Sequence, residues 1–182
     1  MGVMTAAAAF SVHPTPIGEA LVVVTDAGLA TLELLDIRRD ASAIARERVA
    51  RMLDLVPEED ASATAAVTDQ LDEYFAGTRH AFEIDLDLSR ETAFLRRALE
   101  AVCTIPYGEV WSYAEVAIAA GSPRAHRAIG TACARTPISI VVPAHRVVRS
   151  DGSIGEYGGH PERKRYLLDL EAQTLEAHVL RA

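Results

Sequence analysis

Cysteine is scarce: Cys103 and Cys133 are the only two in 182 residues, and neither falls in a Cys-x-x-Cys pair or near a histidine at metal-ligand spacing. A disulfide framework and a zinc site are therefore not expected, no metal or cofactor is implied, and both thiols read as core residues in a reducing compartment. No apolar run approaches the ~18 residues that a membrane span requires. The alanine-rich segment Met1 to Phe10 lacks the basic start and longer apolar stretch of a signal peptide. A soluble, cytoplasmic protein is the expectation. Lys164 is the single lysine and points to nothing by itself. What is present, 49% hydrophobic and 24% charged residues, is enough to bury a core and excludes a wholly disordered chain. The length suits one ordinary domain or two small ones packed together.

Negative charge is present overall but unevenly spread. The net charge is −8, which taken alone argues against a nucleic-acid partner. Residues 1–89 hold 6 basic against 16 acidic side chains, whereas residues 90–182 hold 12 against 10. Between Gly121 and Ser150 stand Arg124, Arg127, Arg135, Arg146 and Arg149 with no acid among them, a local positive field within an acidic protein.

The apolar runs Ala20 to Thr25 and Leu29 to Leu35, joined by Asp26-Ala27-Gly28, predict a β-hairpin. Helical spacing follows over Ala41 to Leu53 and Ala65 to Phe75, the latter closing at Gly77, and Ala81 to Leu86 alternates as a further strand. In the second half, Phe94, Leu95, Ala98, Leu99 and Val102 line one helical face before Pro106 and Gly108 stop the run. Ser112-Tyr113-Ala114-Glu115 has the form of a capping box and predicts a helix start at Ser112. Gly121 breaks that helix, and Ser122 with Pro123 predicts the cap and first turn of another, running to about Ala134. Two helices joined by a short glycine-containing turn form a helix-turn-helix. On its second helix Arg127 lies among Ala128, Gly130, Thr131 and Ala132, a small-residue face with one long cation, which suits close approach to a groove.

The β-branched run Ile138 to Val142 ends in Pro143-Ala144-His145-Arg146-Val147-Val148. With Ile105-Pro106-Tyr107-Gly108-Glu109-Val110, Gly155-Glu156-Tyr157-Gly158-Gly159 and Leu167-Leu168-Asp169-Leu170-Glu171, it resembles the C-terminal domain of the O6-alkylguanine-DNA alkyltransferases. The resemblance implies an α+β fold: a small ribonuclease H-like α/β domain over 1–89, then a helical DNA-binding domain with a helix-turn-helix over 90–182. It implies duplex DNA carrying O6-alkylguanine as partner, a monomer, and a bacterial-type protein found on the nucleoid when DNA-bound.

In that family the damaged base is flipped out of the duplex, because the O6 substituent is shielded inside the stack, and a cysteine takes the alkyl group irreversibly. A histidine oriented by a glutamate serves as base for the thiol, and His145 and Glu171 match those positions. The nucleophile position is Ala144, whose methyl group has no lone pair to accept an alkyl group. The resemblance further places Tyr113 at a phosphate contact and Arg127 at the finger that fills the vacated stack. It places Pro143, Tyr157, Gly158 and Gly159 around the alkylated base. A second departure is Thr136, where the family usually has the asparagine of a hinge that ties the active-site loop to the recognition helix.

Three readings stay open on the sequence. One is an alkyltransferase-like lesion sensor that presents O6-alkylguanine to nucleotide excision repair. Another is a cysteine-to-alanine variant of an active methylated-DNA–protein-cysteine methyltransferase. The last is a helix-turn-helix regulator without lesion specificity.

Overall fold

The computed structural model describes residues 7–36 and 41–180, which divide into two compact units, Met1–Arg90 and Glu91–Ala182. In the first, β1 (Ala8–Thr15), β2 (Gly18–Thr25) and β3 (Gly28–Leu34) form an antiparallel meander, followed by α1 (Ala41–Leu53), β4 (Glu58–Glu59) and α2 (Ala61–Phe75). The sheet order is β3-β2-β1-β4, with β4 parallel to β1. Both faces of β2 are covered, which is why its Ala20-Leu21-Val22-Val23 run is apolar without alternation. Leu21 and Val23 pack with Phe10 of β1 against Ala45, Val49 and Leu53 of α1. On the opposite face Ser11 meets Thr64 of α2 in a buried hydroxyl pair at 2.7 Å.

The hairpin and α1 take the predicted bounds closely, but three expectations for this unit change. β1 begins in the alanine-rich start, where the sequence predicts no strand, because eight residue pairs with β2 hold it. α2 begins four residues earlier than its apolar periodicity, since Asp60 accepts from the Ser62 and Ala63 amides and caps the helix there. Ala81 to Leu86 is not a strand: only Leu86 bridges to Leu29, through Leu29 N–H to Asp85 O at 2.8 Å and Asp87 N–H to Leu29 O at 2.9 Å. That contact needs Gly28, at φ +127, where a Cβ would lie 2.3 Å from the Asp85 carbonyl oxygen.

The second unit holds α3 (Ala93–Cys103), β5 (Trp111–Ser112), α4 (Tyr113–Ala119), α5 (His126–Arg135), a 3-10 turn at Ala144–Arg146, β6 (Val147–Val148) and α6 (Pro161–Val179). Thr92 caps α3, and the predicted face of Ala98, Leu99 and Val102 is buried. The capping box forms: Glu115 N–H donates to Ser112 Oγ, and Ser112 N–H donates back to the Glu115 carboxylate. The second helix of the pair starts at His126 rather than at Ser122. Residues 122–125 close a turn instead, with Ala125 N–H donating to Ser122 O at 2.8 Å, and no side chain caps α5. β5 pairs in parallel with β6, Trp111 opposite Val147 and Ser112 opposite Val148. That short ladder ties the start of α4 to the chain leaving the 3-10 turn.

Candidate functional site

The loop from Ser139 to Val147 is built from tight backbone turns. Val141 N–H donates to Ser139 O at 2.8 Å around Ile140, whose φ is +68, the strained hand of the γ-turn for a β-branched residue. Ala144 N–H then donates to Val142 O at 2.8 Å around Pro143, at φ −80 and ψ 57, the relaxed hand of the same turn. The 3-10 turn follows, with Arg146 N–H on Pro143 O at 2.9 Å. Pro143, Ala144, His145 and Arg146 are all buried, so this segment is anchored like core although it carries polar side chains.

Around it, α6 supplies the charge that makes such burial tolerable. Glu171 accepts His145 Nε2–H at 2.8 Å, two bonds from Arg146 Nε at 3.0 and 3.2 Å, one from Arg146 Nη2 at 3.0 Å, and the Gly108 amide at 2.8 Å. Arg146 Nη1 donates to Ile105 O at 2.7 Å, and its guanidinium lies 5.5 Å from the Tyr107 ring centre. Burial alone would raise the Glu171 carboxyl, but the bonds and charges of His145 and Arg146 outweigh it and hold its pKa at about 2. For His145 burial dominates and lowers the pKa, so the imidazole is neutral at pH 7. A carboxylate only accepts, hence Nε2 carries the proton and Nδ1 is the basic nitrogen.

Of the residues singled out in the sequence, Pro143, Ala144, His145, Tyr157 and Glu171 come together here, while Gly158 and Gly159 make no contact that draws them in. Ala144 is 3% exposed, and His145 and Glu171 are wholly buried. The Tyr157 ring stands edge-on to His145, 6.5 Å between centres, and burial pushes its phenol up to about 12, with Ser139 and the Ile140 backbone opposing. Gly158 and Gly159 are exposed beside it in sequence. On α5, Arg127, Ala128 and Thr131 are exposed; the Thr131 hydroxyl donates to Arg127 O at 3.2 Å, and the Arg127 guanidinium has no bond among the described residues. Gly130 faces the half-buried Tyr113 ring, whose nearest atom lies 3.8 Å from where a Cβ would sit.

One expectation changes. The cysteines are not core residues: Cys103 is exposed at the end of α3 and Cys133 is half-buried on α5. Thr136 is the C-cap of α5, and its hydroxyl turns onto the Ile138 backbone, accepting from N–H at 3.3 Å and donating to O at 3.4 Å. Two residues went unassigned in the sequence. Arg146 is the permanent counter-ion of Glu171, and Lys164, 1% exposed, donates to Val147 O at 2.5 Å. Burial lowers the Lys164 pKa to about 8. Its only signal was being the one lysine. Among the described residues no cluster of three His, Cys, Asp or Glu could hold a metal ion, and no helix is long and apolar enough to cross a membrane.

The family model of the 6-O-methylguanine DNA methyltransferase DNA-binding domain matches residues 93–173, and that of its ribonuclease-like domain matches residues 9–88. The methylated-DNA–protein-cysteine methyltransferase of Mycobacterium leprae is 41% identical over 157 residues, covering 86% of this chain and 88% of that protein. Its Mycobacterium tuberculosis counterpart is 48% identical over 120 residues, 66% of this chain and 72% of that protein. The crystal structure of Mycobacterium tuberculosis O6-methylguanine methyltransferase superimposes with a TM-score of 0.77 at 36% identity, over 92% of this chain and 94% of that one. The OGT protein of the same organism, solved in complex with DNA, gives 0.76 at 37% identity, over 91% and 93%. Two domain models in tandem and relatives matched along nearly their whole length place this chain in the 6-O-methylguanine DNA methyltransferase family.

Proposed function

We propose that the chain binds duplex DNA containing O6-alkylguanine and holds the lesion without removing the alkyl group. The observation that carries this reading is Ala144, buried at the nucleophile position next to an intact His145–Glu171–Arg146 network. Alkyl transfer needs a lone pair that attacks the alkyl carbon and expels the guanine oxygen, and a methyl side chain offers none. His145 retains the tautomer of a base but has no thiol at position 144 to deprotonate.

Recognition needs a different set of groups, and those are present. The lesion must leave the stack before any pocket can read it. α4 and α5 approach the minor groove, with Ala128, Gly130 and Thr131 letting the backbone come close and Tyr113 contacting a phosphate. Arg127 fills the vacated stack, since a guanidinium both stacks on bases and hydrogen-bonds to the orphaned partner. The base enters a pocket formed by Pro143, Tyr157, Gly158 and Gly159, where the neutral Tyr157 phenol can donate to the alkylated oxygen. The chain acts as a cytoplasmic monomer without cofactor, and the marked lesion is passed to nucleotide excision repair proteins.

Fluorescence anisotropy with matched duplexes tests this. The chain should bind an O6-methylguanine duplex roughly tenfold or more tighter than its unmodified counterpart, and Arg127→Ala should remove most of that preference. Equal affinity for the two duplexes contradicts lesion recognition and favours a plain DNA binder.

A further inference from the structure

Arg149 belongs to the acid-free arginine segment, yet neither the relay nor the base pocket uses it. Its position follows from the short parallel ladder: Ser112 pairs with Val148, so Tyr113 and Arg149, the residues that directly follow the two strands, emerge side by side. Both side chains reach the same point above Gly155. A Cβ built there would lie 3.5 Å from the Tyr113 hydroxyl and 3.7 Å from Arg149 Nε. Gly155 takes φ +68, so the position favours glycine, and no side chain there comes between the two donors.

The backbone carrying Arg149 is fixed. Its N–H donates to Ser153 O and its carbonyl accepts Gly152 N–H, both at 2.9 Å, while Asp151, the acid in that turn, accepts Ser153 N–H at 2.9 Å. Neither the Tyr113 hydroxyl nor the exposed Arg149 guanidinium has a hydrogen-bond or ion-pair partner among the described residues. Lys164 adds a second positive charge close enough to Arg149 for the two to interact electrostatically. Asp151 also interacts electrostatically with Arg149, but without an ion pair, so the two donors meet over one glycine without a bonded acceptor and match an anion with two equivalent oxygens.

We propose that Tyr113 and Arg149 form a two-donor clamp over Gly155 for one phosphodiester of the bound strand. This rests on the DNA-binding reading above and adds Arg149 to it. The guanidinium binds one non-bridging oxygen and the phenol hydroxyl the other, fixing the backbone from which the damaged nucleotide turns out. A phosphate contact positions the strand and carries no base information, so it acts equally on damaged and undamaged DNA.

The test is the salt dependence of duplex binding by the full chain, between 50 and 200 mM KCl, for the native protein, Arg149→Ala, Arg149→Lys and Tyr113→Phe. Arg149→Ala should weaken binding to the lesion and unmodified duplexes by the same factor, roughly tenfold. It should also flatten the slope of log K against log salt by about 0.9, the loss of one phosphate contact. Arg149→Lys should keep the native slope, and adding Tyr113→Phe to Arg149→Ala should cost less than Tyr113→Phe alone. An unchanged slope in Arg149→Ala overturns the clamp while leaving lesion recognition standing. Loss of lesion preference by the native chain removes the proposed function while leaving the slope to decide the clamp. Displacement of DNA by inorganic phosphate at constant ionic strength would assign the space to the free anion and also overturn the proposal.

Discussion

The two units bury polar groups in opposite ways. Among the described residues of the N-terminal unit the buried polar side chains are three hydroxyls, Ser11, Thr31 and Thr64, although this half carries the chain's acidic excess. The C-terminal unit buries His145, Arg146, Lys164 and Glu171. Acids in the first half stay in water, where they cost little. Charges in the second are desolvated at a cost of several kcal/mol per ion before pairing offsets it. An apolar core of equal volume would be at least as stable, so the network around position 144 is explained by what it positions and not by what it stabilises. Ala144 carries no sulfur, yet the buried His145–Glu171–Arg146 network beside it is hydrogen-bonded.

The largest test of this contrast is Glu171→Ala, which leaves Arg146 buried without its counter-ion and should cost about 3–5 kcal/mol in urea unfolding. A loss below about 1 kcal/mol would erase the distinction between the units. The same carboxylate sets an acid limb. Its folded pKa of about 2 lies below the ordinary value of about 4.3, so the unfolded chain binds the extra proton between them. Its contribution is therefore complete above about pH 4.3 and is lost as pH falls towards about 2.

Lys164 should show a limb of similar size and the same sign at the alkaline end. Its folded pKa is about 8 and its unfolded value about 10.4, so the unfolded chain holds more protons in that window and stability rises with pH, by about 3 kcal/mol. Lys164→Met should abolish the rise, and identical alkaline profiles for the two proteins would contradict the burial of a charged amine. The smallest effect belongs to the N-terminal unit. Thr64→Val leaves Ser11 Oγ without its 2.7 Å partner and should cost only about 1 kcal/mol, with no dependence on pH.

Local signals in the sequence were read well, and signals that depend on distant partners were not. The Asp26-Ala27-Gly28 turn, the α1 bounds and the Ser112–Glu115 capping box are each complete within a few residues, and each forms. β1 is invisible in the sequence because alanine has low strand preference and the strand is held by its partners, the β2 ladder and the short β4. Ala81 to Leu86 alternates as a strand should but finds one bridge, so pattern without a partner made no strand. Ser122-Pro123 has the chemistry of a helix start, yet the chain closes a turn before α5 begins. At the site, His145 and Glu171 were legible only jointly, through several motifs at matching spacing. Arg146 and Lys164 became meaningful once α6 and the Val147 carbonyl stood beside them.

The central claim is recognition separated from transfer, and intact-mass measurement tests it most directly. The purified chain is saturated with an O6-methylguanine duplex, released by nuclease digestion and weighed. The account predicts stable complex formation and an unchanged protein mass. A protein heavier by one methyl group would show that another residue accepts the alkyl group, and would contradict the account.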